Sequence, residues 1–334
     1  MSEALLQVDG LTTVFDVKPR PVVAVNDVSF EIRQGETLGL VGESGSGKSV
    51  TAFSIIGLVQ PPGRLAAGRV MFQGRDLVRL PEVEMRKVRG AGIGFVFQEP
   101  MAALNPVMRV GAHIAEALTV HGLASRSAAR DRAVELLRAV KIADPEKCVD
   151  DYPHQLSGGM RQRVMMAIAV ACKPPLLIAD EPTTALDVTV QAQILDLLRD
   201  MKQQFDLSLL LITHDLGVIA ETADRVAVMY AGRIVEQGTV REIFHDPKHP
   251  YTRGLLASIP GGAAGTRLHA IDGTVPNLAA LPPGCSFAPR CSERMDVCET
   301  VFPARTLVGA GGSEGPPRLA IEHSVRCYLH GGQP

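Results

Sequence analysis

Short apolar runs recur along the chain, each bounded by Gly, Asp or Pro. They have the length and character of buried strands: Glu36–Val41, Ile93–Phe97, Leu176–Ala179, Leu209–Thr213 and Val226–Tyr230. Segments with the apolar spacing of a helix lie between them, at 50–59, 126–140, 160–171 and 188–204. This alternation predicts an α/β fold built on a buried sheet.

Two regions depart from this alternation before residue 240. The segments 5–15, 22–32 and 68–73 have the pattern of antiparallel strands, which predicts a separate β subdomain. From about Glu99 to Gln162 the pattern is almost purely helical. We interpret this stretch, 99–162, as a helical subdomain inserted into the α/β core.

The character of the chain changes again beyond Gly238. Pro and Gly become dense, and no strong period lasts beyond 251–258. The sequence therefore predicts a core domain over 5–240 and a C-terminal extension over 241–334. Within the extension, 308–318 has the Gly, Ser and Pro content of a linker or exposed loop.

Composition excludes several classes of protein. Thirty-four Lys and Arg stand against 36 Asp and Glu, a net charge of −2, so there is no positive field to hold a nucleic-acid backbone. With 4% aromatic residues and no Trp, a base-stacking surface is not expected. No apolar run reaches the roughly 18 to 20 residues of a membrane span, and no secretory signal is visible. We expect a cytoplasmic chain that crosses no membrane.

The strongest local signal is a phosphate-binding loop that follows one apolar run and precedes a helical one. It matches G-x-x-x-x-G-K-[ST], in which backbone N–H groups and a helix N-terminus face phosphates. The candidate nucleotide-binding residues are Gly42, Glu43, Ser44, Gly45, Ser46, Gly47, Lys48, Ser49 and Val50. Lys48 neutralises charge on the β- and γ-phosphates, and the Ser49 hydroxyl is a ligand for Mg²⁺.

A second motif supplies acidic groups at the end of an apolar run. In LLIADE, Asp180 is expected to bind Mg²⁺ through water. Glu181 follows directly and is the candidate general base that polarises the attacking water. The two motifs together predict a P-loop enzyme that hydrolyses ATP or GTP.

The segment LSGGM separates this chain from kinases, GTPases and helicases, because it resembles the signature of ABC ATPases. Ser157 can cap the following helix, while Gly158 and Gly159 let a phosphate approach its exposed N–H groups. In that family, the signature of one subunit covers ATP held by the phosphate loop of another. The resemblance therefore implies a head-to-tail dimer that opens and closes around ATP.

Other positions across residues 5–240 match the same family in order. The resemblance assigns Gln98 to the loop that senses Mg²⁺ and contacts a membrane subunit, and Asp187 to the loop that crosses the dimer. It makes His214 the histidine that touches the γ-phosphate. Phe15 is the candidate for stacking on adenine, although an aromatic residue on an early strand is as often part of the core. The signature, Glu181 and His214 together predict a catalytically competent subunit.

Two markers narrow the family further. EPMAALNP at 99–106 and HPYTRGLLASIP at 249–260 resemble the ATPase subunits of peptide and nickel importers, and the second is the more specific. The resemblance implies a peripheral subunit on the cytoplasmic face of the inner membrane. It also implies a partner ATPase, either a paralogue or a second copy, together with two permease subunits and a solute-binding protein.

The extension also carries four cysteines, Cys285, Cys291, Cys298 and Cys327. In a reducing compartment they are not read as disulfides, and four thiols suit Zn²⁺ or a [4Fe-4S] cluster. They lack the paired C-x-x-C of common zinc modules and resemble the C-terminal set of peptide-importer ATPases. That resemblance implies an iron–sulfur cluster, with zinc and then unliganded thiols as alternatives. Its expected role is to hold a Pro- and Gly-rich tail in place.

The resemblance implies an ATP-hydrolysing subunit that powers import of dipeptides and oligopeptides, and three rival functions are the alternatives. Nickel or another small solute is the first, because the ATPase does not touch the cargo and the markers are shared. A soluble ABC protein of DNA repair or translation predicts a long coiled-coil insert or two phosphate loops, and the sequence has neither. A module that binds ATP without hydrolysis predicts loss of Glu181 or His214, and both are present.

Overall fold

The computed structural model describes residues 4–259, 271–308 and 323–331, apart from the side chain of Arg126. Most of the predicted linker at 308–318 lies outside these residues, as does Pro260 at the end of the second importer marker.

Within the described residues the chain forms twelve strands and twelve α-helices. The strands are β1 (Ala4–Phe15), β2 (Val22–Arg33), β3 (Thr37–Val41), β4 (Gly63–Phe72), β5 (Arg75–Asp76), β6 (Ile93–Val96), β7 (Leu176–Asp180), β8 (Ser208–Thr213), β9 (Arg225–Tyr230), β10 (Arg233–Thr239), β11 (Thr306–Leu307) and β12 (Ser324–Val325). The helices are α1 (Lys48–Ile55), α2 (Glu82–Val88), α3 (Pro100–Ala103), α4 (Val110–Val120), α5 (Arg126–Ala139), α6 (Pro145–Cys148), α7 (Gly158–Val170), α8 (Val188–Phe205), α9 (Leu216–Thr222), α10 (Val240–His245), α11 (Pro250–Ala257) and α12 (Val297–Thr300). The predicted alternation of strands and helices is confirmed.

The chain divides into two compact units, each assembled from separate stretches of sequence. The first consists mainly of residues 72–212, with a short piece at 32–37 and the N-terminal end of β1. The second contains residues 7–31 and 38–71 and the described residues from 213 onward. The division at residue 240 that the sequence suggests stays a prediction.

The first unit contains three parallel strands. β6 pairs with β7, with Ile93 opposite Leu176, and β7 pairs with β8, with Leu176 opposite Ser208. All residues of β7 and β8 are buried, which explains why each reads in the sequence as an unbroken apolar run. Because the strands are parallel, their carboxyl ends lie at one edge, and that edge presents the residues that follow β6 and β7.

The region between β6 and β7 contains helices and loops but no strand, as its sequence pattern predicts. Helix α4 packs on α5, and both pack on α7. The predicted end of the helical subdomain, Gln162, falls inside α7, which runs on to Val170 and also contacts β6 and α8. The sequence pattern predicts a helix of the α/β core from Met160 onward. The single helix α7 therefore belongs both to the helical region and to the α/β core.

The second unit contains strands of both directions. β1 lies between β2 and β4 in one sheet. In another group, β9 is parallel to β3 and antiparallel to β10. The sequence pattern identified β3 and β9 but missed β10, because this strand carries the polar residues Glu236 and Gln237, which are nonetheless buried.

Residues near the C-terminus add two short strands to this group. β12 pairs with β10, placing Val325 opposite Glu236, and β11 pairs with β12. Each has two residues, too few to show a period in the sequence. The extension is thus joined to the second unit by backbone hydrogen bonds.

Candidate nucleotide-binding and hydrolysis site

The glycine-rich loop joins the buried strand β3 to helix α1 within the second unit. The Lys48 ammonium donates to the carbonyl oxygens of Gly42 at 2.8 Å and Glu43 at 3.1 Å, so the cation lies inside the loop. Helix α1 has no acidic residue in its first turn and no side-chain cap. Its N-terminal amides and Lys48 form a site suited to an anion.

Gly47 allows the close packing that this loop requires. Its φ of 103° lies in the left-handed region, and a Cβ there would lie 2.5 Å from the carbonyl oxygen of Ala24 and 2.8 Å from Cε of Met229. A larger residue would displace both neighbours and the start of α1. Glycine at position 47 of the motif therefore has a steric reason in this chain.

Phe15 lies at the end of β1, also in the second unit, and is half-buried. Its ring lies against Gly63, the first residue of β4. A Cβ on Gly63 would lie 2.6 Å from Cε1 of the ring. The ring is thus neither a fully buried core residue nor a free one. Its role at adenine stays a prediction.

The first unit carries the acidic pair at the carboxyl end of β7. Asp180 is the last residue of the strand and is 1% exposed. Glu181 adopts a φ of 44°, and its amide donates to the carbonyl oxygen of Ile212 at 2.9 Å. A non-glycine residue in the left-handed region is strained and is typical of functional loops.

Gln98 and Glu181, 83 residues apart, are brought together in the first unit. The Gln98 amide donates to Glu181 Oε2 at 3.2 Å, and the Thr184 hydroxyl donates to the same oxygen at 2.8 Å. The parallel pairing of β6 with β7 explains the contact, since both residues follow the ends of paired strands. Thr184 was not among the sequence candidates; its position three residues after Glu181 was the available signal.

The signature and the Asp187 loop each begin a helix. Ser157 Oγ accepts from the Met160 amide at 3.3 Å, and Asp187 Oδ1 accepts from the Val190 amide at 2.9 Å, so both act as N-caps. A Cβ on Gly159 would lie 2.8 Å from Val190, which packs α7 closely on α8. Ser157, Gly158 and Asp187 are exposed and present these helix starts to solvent.

His214 directly follows β8 and is exposed. The next residue, Asp215, caps α9 by accepting from the amides of Gly217 at 2.8 Å and Val218 at 3.3 Å. The histidine is therefore placed at a strand-to-helix turn whose backbone is held by its neighbour.

All four cysteines of the extension line one cavity in the second unit. His249 and Phe287 also line it, and its volume is about 20 Å³. Burial is the main cause that raises the pKa of Cys285 and of Cys327 to about 11, and the neighbouring thiols contribute to that rise. The described residues contain no group of three or more His, Cys, Asp or Glu side chains arranged to hold a metal ion. All six cysteines are free thiols in the structure.

His249 contributes an orphaned polar atom beside this cavity. Its Nδ1 accepts from the Tyr251 amide at 3.0 Å and caps α11, which leaves the proton on Nε2. Nε2 is buried and has no hydrogen-bond partner among the described residues. Burial lowers the pKa of His249 to about 4, so the ring is neutral near pH 7.

A buried carboxylate on β10 joins two parts of the extension to this strand. Glu236 accepts from the amides of Lys248 at 2.7 Å and His249 at 2.9 Å, and its Oε1 lies 2.7 Å from His323 Nε2. Burial tends to raise the pKa of Glu236, but the hydrogen bonds from His323 and the backbone outweigh it, and the net pKa is lowered. The carboxylate is thus ionised and holds the start of α11 in place.

The extension also contacts the phosphate-binding loop directly. The Glu43 amide donates to the Tyr251 hydroxyl at 2.9 Å, and the Arg290 guanidinium forms two hydrogen bonds with the Glu43 carboxylate. The hydrogen bonds that Arg290 donates to the Glu43 carboxylate hold the pKa of Arg290 above its ordinary value. Neither Tyr251 nor Arg290 was a sequence candidate for the nucleotide site, since each lies more than 200 residues from Glu43.

Together, the phosphate loop, the acidic strand end and the serine-capped signature helix define an ATPase of the ABC type. The family model described as ABC transporter matches residues 25–184, and the model described as oligopeptide/dipeptide transporter, C-terminal region, matches residues 235–298. The chain therefore belongs to the ABC transporter family, among the ATP-binding subunits that carry the oligopeptide/dipeptide transporter C-terminal region.

Individual relatives agree with this placement. The chain is 50% identical to the dipeptide transport ATP-binding protein DppD of Bacillus subtilis, over 98% of this chain and 95% of the relative. It is 51% identical to the oligopeptide transport ATP-binding protein AppD of the same organism, over 98% and 97%. Among solved structures, the dimeric ATP-binding cassette MJ0796 bound to ADP and Pi has a TM-score of 0.64 and 29% identity, over 71% of this chain and 99% of that one.

Proposed function

We propose that this chain is the ATP-hydrolysing subunit that powers import of dipeptides and oligopeptides through separate membrane subunits. The observation that carries the proposal is the sequence identity of 50% and 51% to peptide transport ATP-binding proteins. This identity extends over 98% of the chain and so includes both the cassette and the C-terminal region. No helix in the described residues is long and apolar enough to span a membrane. The translocation path is then supplied by permease subunits, to which this chain binds peripherally on the cytoplasmic side.

Binding of ATP and Mg²⁺ follows from the cassette, and the roles of individual residues are part of the proposal. Residues 42–50 hold the phosphates, with Phe15 against adenine. Ser49 and Asp180 hold Mg²⁺, and Gln98 senses it. Magnesium supplies charge neutralisation at the phosphates when it is bound.

Glu181 acts as the general base of hydrolysis. Its carboxylate takes a proton from water as the water oxygen bonds to the γ-phosphorus and the bond to the bridging oxygen breaks, releasing ADP and phosphate. The hydrogen bonds from Gln98 and Thr184 support this role, because they orient the carboxylate. His214 contacts the γ-phosphate from the end of β8.

Exposure of the signature supports a composite site formed by two ATPase subunits. Ser157, Gly158 and Asp187 face solvent, where a second subunit can reach them. We propose that the second subunit is a paralogue of this chain, with two copies of this chain as the alternative. ATP between the subunits then favours the closed dimer.

Reconstitution tests the function. The permeases, binding protein and ATPase subunits are assembled in liposomes, and ATP turnover is measured with dipeptides, with longer peptides and with Ni²⁺. Peptides are expected to stimulate turnover, and Ni²⁺ is not. Stimulation by Ni²⁺ alone would keep the ATPase and overturn the cargo.

We further propose that Cys285, Cys291, Cys298 and Cys327 hold a [4Fe-4S] cluster. The fit rests on four thiols around one cavity, with the unpartnered Nε2 of His249 beside it. The resemblance of the four-cysteine set to that of peptide-importer ATPases favours the cluster, with a single zinc ion as the alternative. When bound, the iron would supply the positive charge that keeps buried thiolates ionised.

Metal analysis after anaerobic purification tests this cofactor. We expect iron and acid-labile sulfide in the wild-type protein and their loss in Cys291→Ser. Cys172→Ser is the matched control, because Cys172 donates to the Ala117 carbonyl outside the cavity and should leave iron unchanged. A colourless protein that contains one zinc would refute the cluster.

A further inference from the structure

Arg290 of the extension forms a two-point ion pair with Glu43 of the phosphate-binding loop. Nη1 lies 2.7 Å from Glu43 Oε2, and Nη2 lies 3.1 Å from Oε1. The Arg290 side chain is 5% exposed and that of Glu43 is 28% exposed. Parallel hydrogen bonds between a guanidinium and a carboxylate are directional and stronger than neutral ones.

The rest of the guanidinium is also bound. Nε donates to the Asp272 carbonyl at 2.9 Å, Nη2 to the Ile271 carbonyl at 3.2 Å, and Nη1 to the Tyr230 hydroxyl at 3.4 Å. These contacts fix the plane of the guanidinium fork. A lysine at this position would keep the charge but lose the fork.

The segment that carries Arg290 is itself held in a tight turn between two of the four cavity cysteines. The Ala288 amide donates to the Cys285 carbonyl at 3.0 Å, and the Cys291 amide donates to the Ala288 carbonyl at 3.2 Å. Phe287 of this turn packs on Tyr230 and Tyr251, with ring centroids 5.3 and 5.4 Å away. The turn that positions the Arg290 guanidinium beside the phosphate-binding loop is therefore held by backbone hydrogen bonds and by aromatic packing.

Glu43 places a carboxylate in a loop that is proposed to bind a polyanion. It lies five residues before Lys48, and its carbonyl accepts from the Lys48 ammonium at 3.1 Å. An unpaired carboxylate here would repel phosphate groups. The Arg290 guanidinium neutralises it, and the Tyr251 hydroxyl holds its amide.

We propose that Arg290 is a positioning residue for ATP binding, which neutralises Glu43 and holds the phosphate-binding loop in its binding conformation. This inference rests on ATP binding at the loop, as the proposed function requires, and not on peptide cargo or on the cluster. It gives the extension a direct part in the nucleotide site.

The test is a double-mutant cycle on the purified full-length protein. ATP and ADP dissociation constants are measured by titration calorimetry for wild type, Arg290→Met, Glu43→Gln and the double variant. We expect Arg290→Met to weaken ATP binding about tenfold, because it leaves a carboxylate unpaired beside the phosphates. Restoring neutrality with Glu43→Gln in that background should recover most of the affinity, so the two changes are not additive.

Three further measurements separate this role from a merely structural one. The loss in Arg290→Met should be larger for ATP than for ADP and should shrink at high salt, since it is electrostatic. Turnover at saturating ATP in the assembled transporter should stay within about twofold of wild type. Arg290→Lys, which keeps the charge, should fall between wild type and Arg290→Met and provides the comparison if Arg290→Met does not fold.

Arg253→Met is the matched control, because Arg253 pairs with Glu293 at 2.9 Å in the same extension and both side chains are 41% exposed. It should bind ATP as wild type does. Wild-type affinity in Arg290→Met and Arg290→Lys, or an additive cycle, would overturn the inference. Failure of the wild-type protein to bind ATP would instead overturn the proposed function.

Discussion

The phosphate-binding loop and the loop after β7 are built in different ways. Contacts distant in sequence hold the first, because Tyr251 and Arg290 reach Glu43 across 208 and 247 residues. The loop after β7 is organised by hydrogen bonds to the Glu181 carboxylate, which is half-exposed. Gln98, which donates one of these hydrogen bonds, is exposed. The comparison teaches that contacts within the chain brace the phosphate-binding loop, whereas Gln98 and Glu181 after β6 and β7 stay partly or largely open to solvent.

Glu181→Gln should have the largest effect, because it should lower ATP turnover while leaving the phosphate-binding loop able to bind ATP. Loss of the general base should lower turnover by about 10²- to 10⁴-fold while ATP binding persists. ATP turnover of the assembled transporter and ATP titration of the subunit measure the two effects. Glu221→Gln, at an exposed position on α9, is the control and should leave both unchanged. Unchanged turnover in Glu181→Gln would remove the base assignment.

Acid should loosen the braced region through His249. Its folded pKa of about 4 lies below the ordinary 6.5, so the unfolded chain binds more protons between these values. The stabilising contribution of the neutral His249 ring is therefore fully present above pH 6.5 and is lost as the pH falls toward 4. The free energy of unfolding should decrease over this range by roughly 3 kcal/mol at most. Urea unfolding measured from pH 7.5 to 4.5 gives the slope.

His249→Asn should flatten that slope, because asparagine keeps an N-cap acceptor for α11 and does not titrate. Glu236, Arg253 and His330 remain in place and act on the same ring in the wild type. His245→Asn serves as the control and should keep the wild-type slope. An equal slope in His249→Asn would show that other groups govern the acid sensitivity.

Tyr251→Phe tests the brace by removing one hydroxyl. The ring is fully buried and packs on Tyr230 at 4.6 Å, so its packing is retained while the Glu43 amide loses its acceptor. We expect about 1 to 3 kcal/mol of destabilisation and several-fold weaker ATP binding. Urea unfolding and calorimetry measure these, and Tyr152→Phe, in the helical region, is the control that should leave ATP affinity unchanged.

Thr184→Val should have the smallest effect. It removes one of the two hydrogen bonds to Glu181 Oε2 and keeps the side-chain shape. The net value of such a bond is about 1 kcal/mol, which corresponds to roughly fivefold lower turnover without a change in ATP affinity. Steady-state kinetics distinguish this outcome from a defect in the braced loop, and the exposed Thr189→Val is the control.

The local motifs were predictable because their chemistry is contained in contiguous residues. The buried strands β3, β7 and β8 read as apolar runs, and the Ser157 and Asp187 N-caps follow from residue type and position. β10, β11 and β12 were missed, since β10 buries Glu236 and the other two have only two residues each. Thr184 was missed because its role depends on the left-handed turn at Glu181.

By itself, the sequence determined the fold class, the phosphate loop, the signature, the candidate base and the four-cysteine set, because spacing along the chain encodes each of them. Only the tertiary structure decided that Gln98 meets Glu181, that Cys327 reaches the cavity lined by the other three cysteines, and that Arg290 pairs with Glu43. These contacts arise from strand pairing and burial between residues far apart in sequence. No local pattern specifies them, since each partner taken alone reads as an ordinary polar residue.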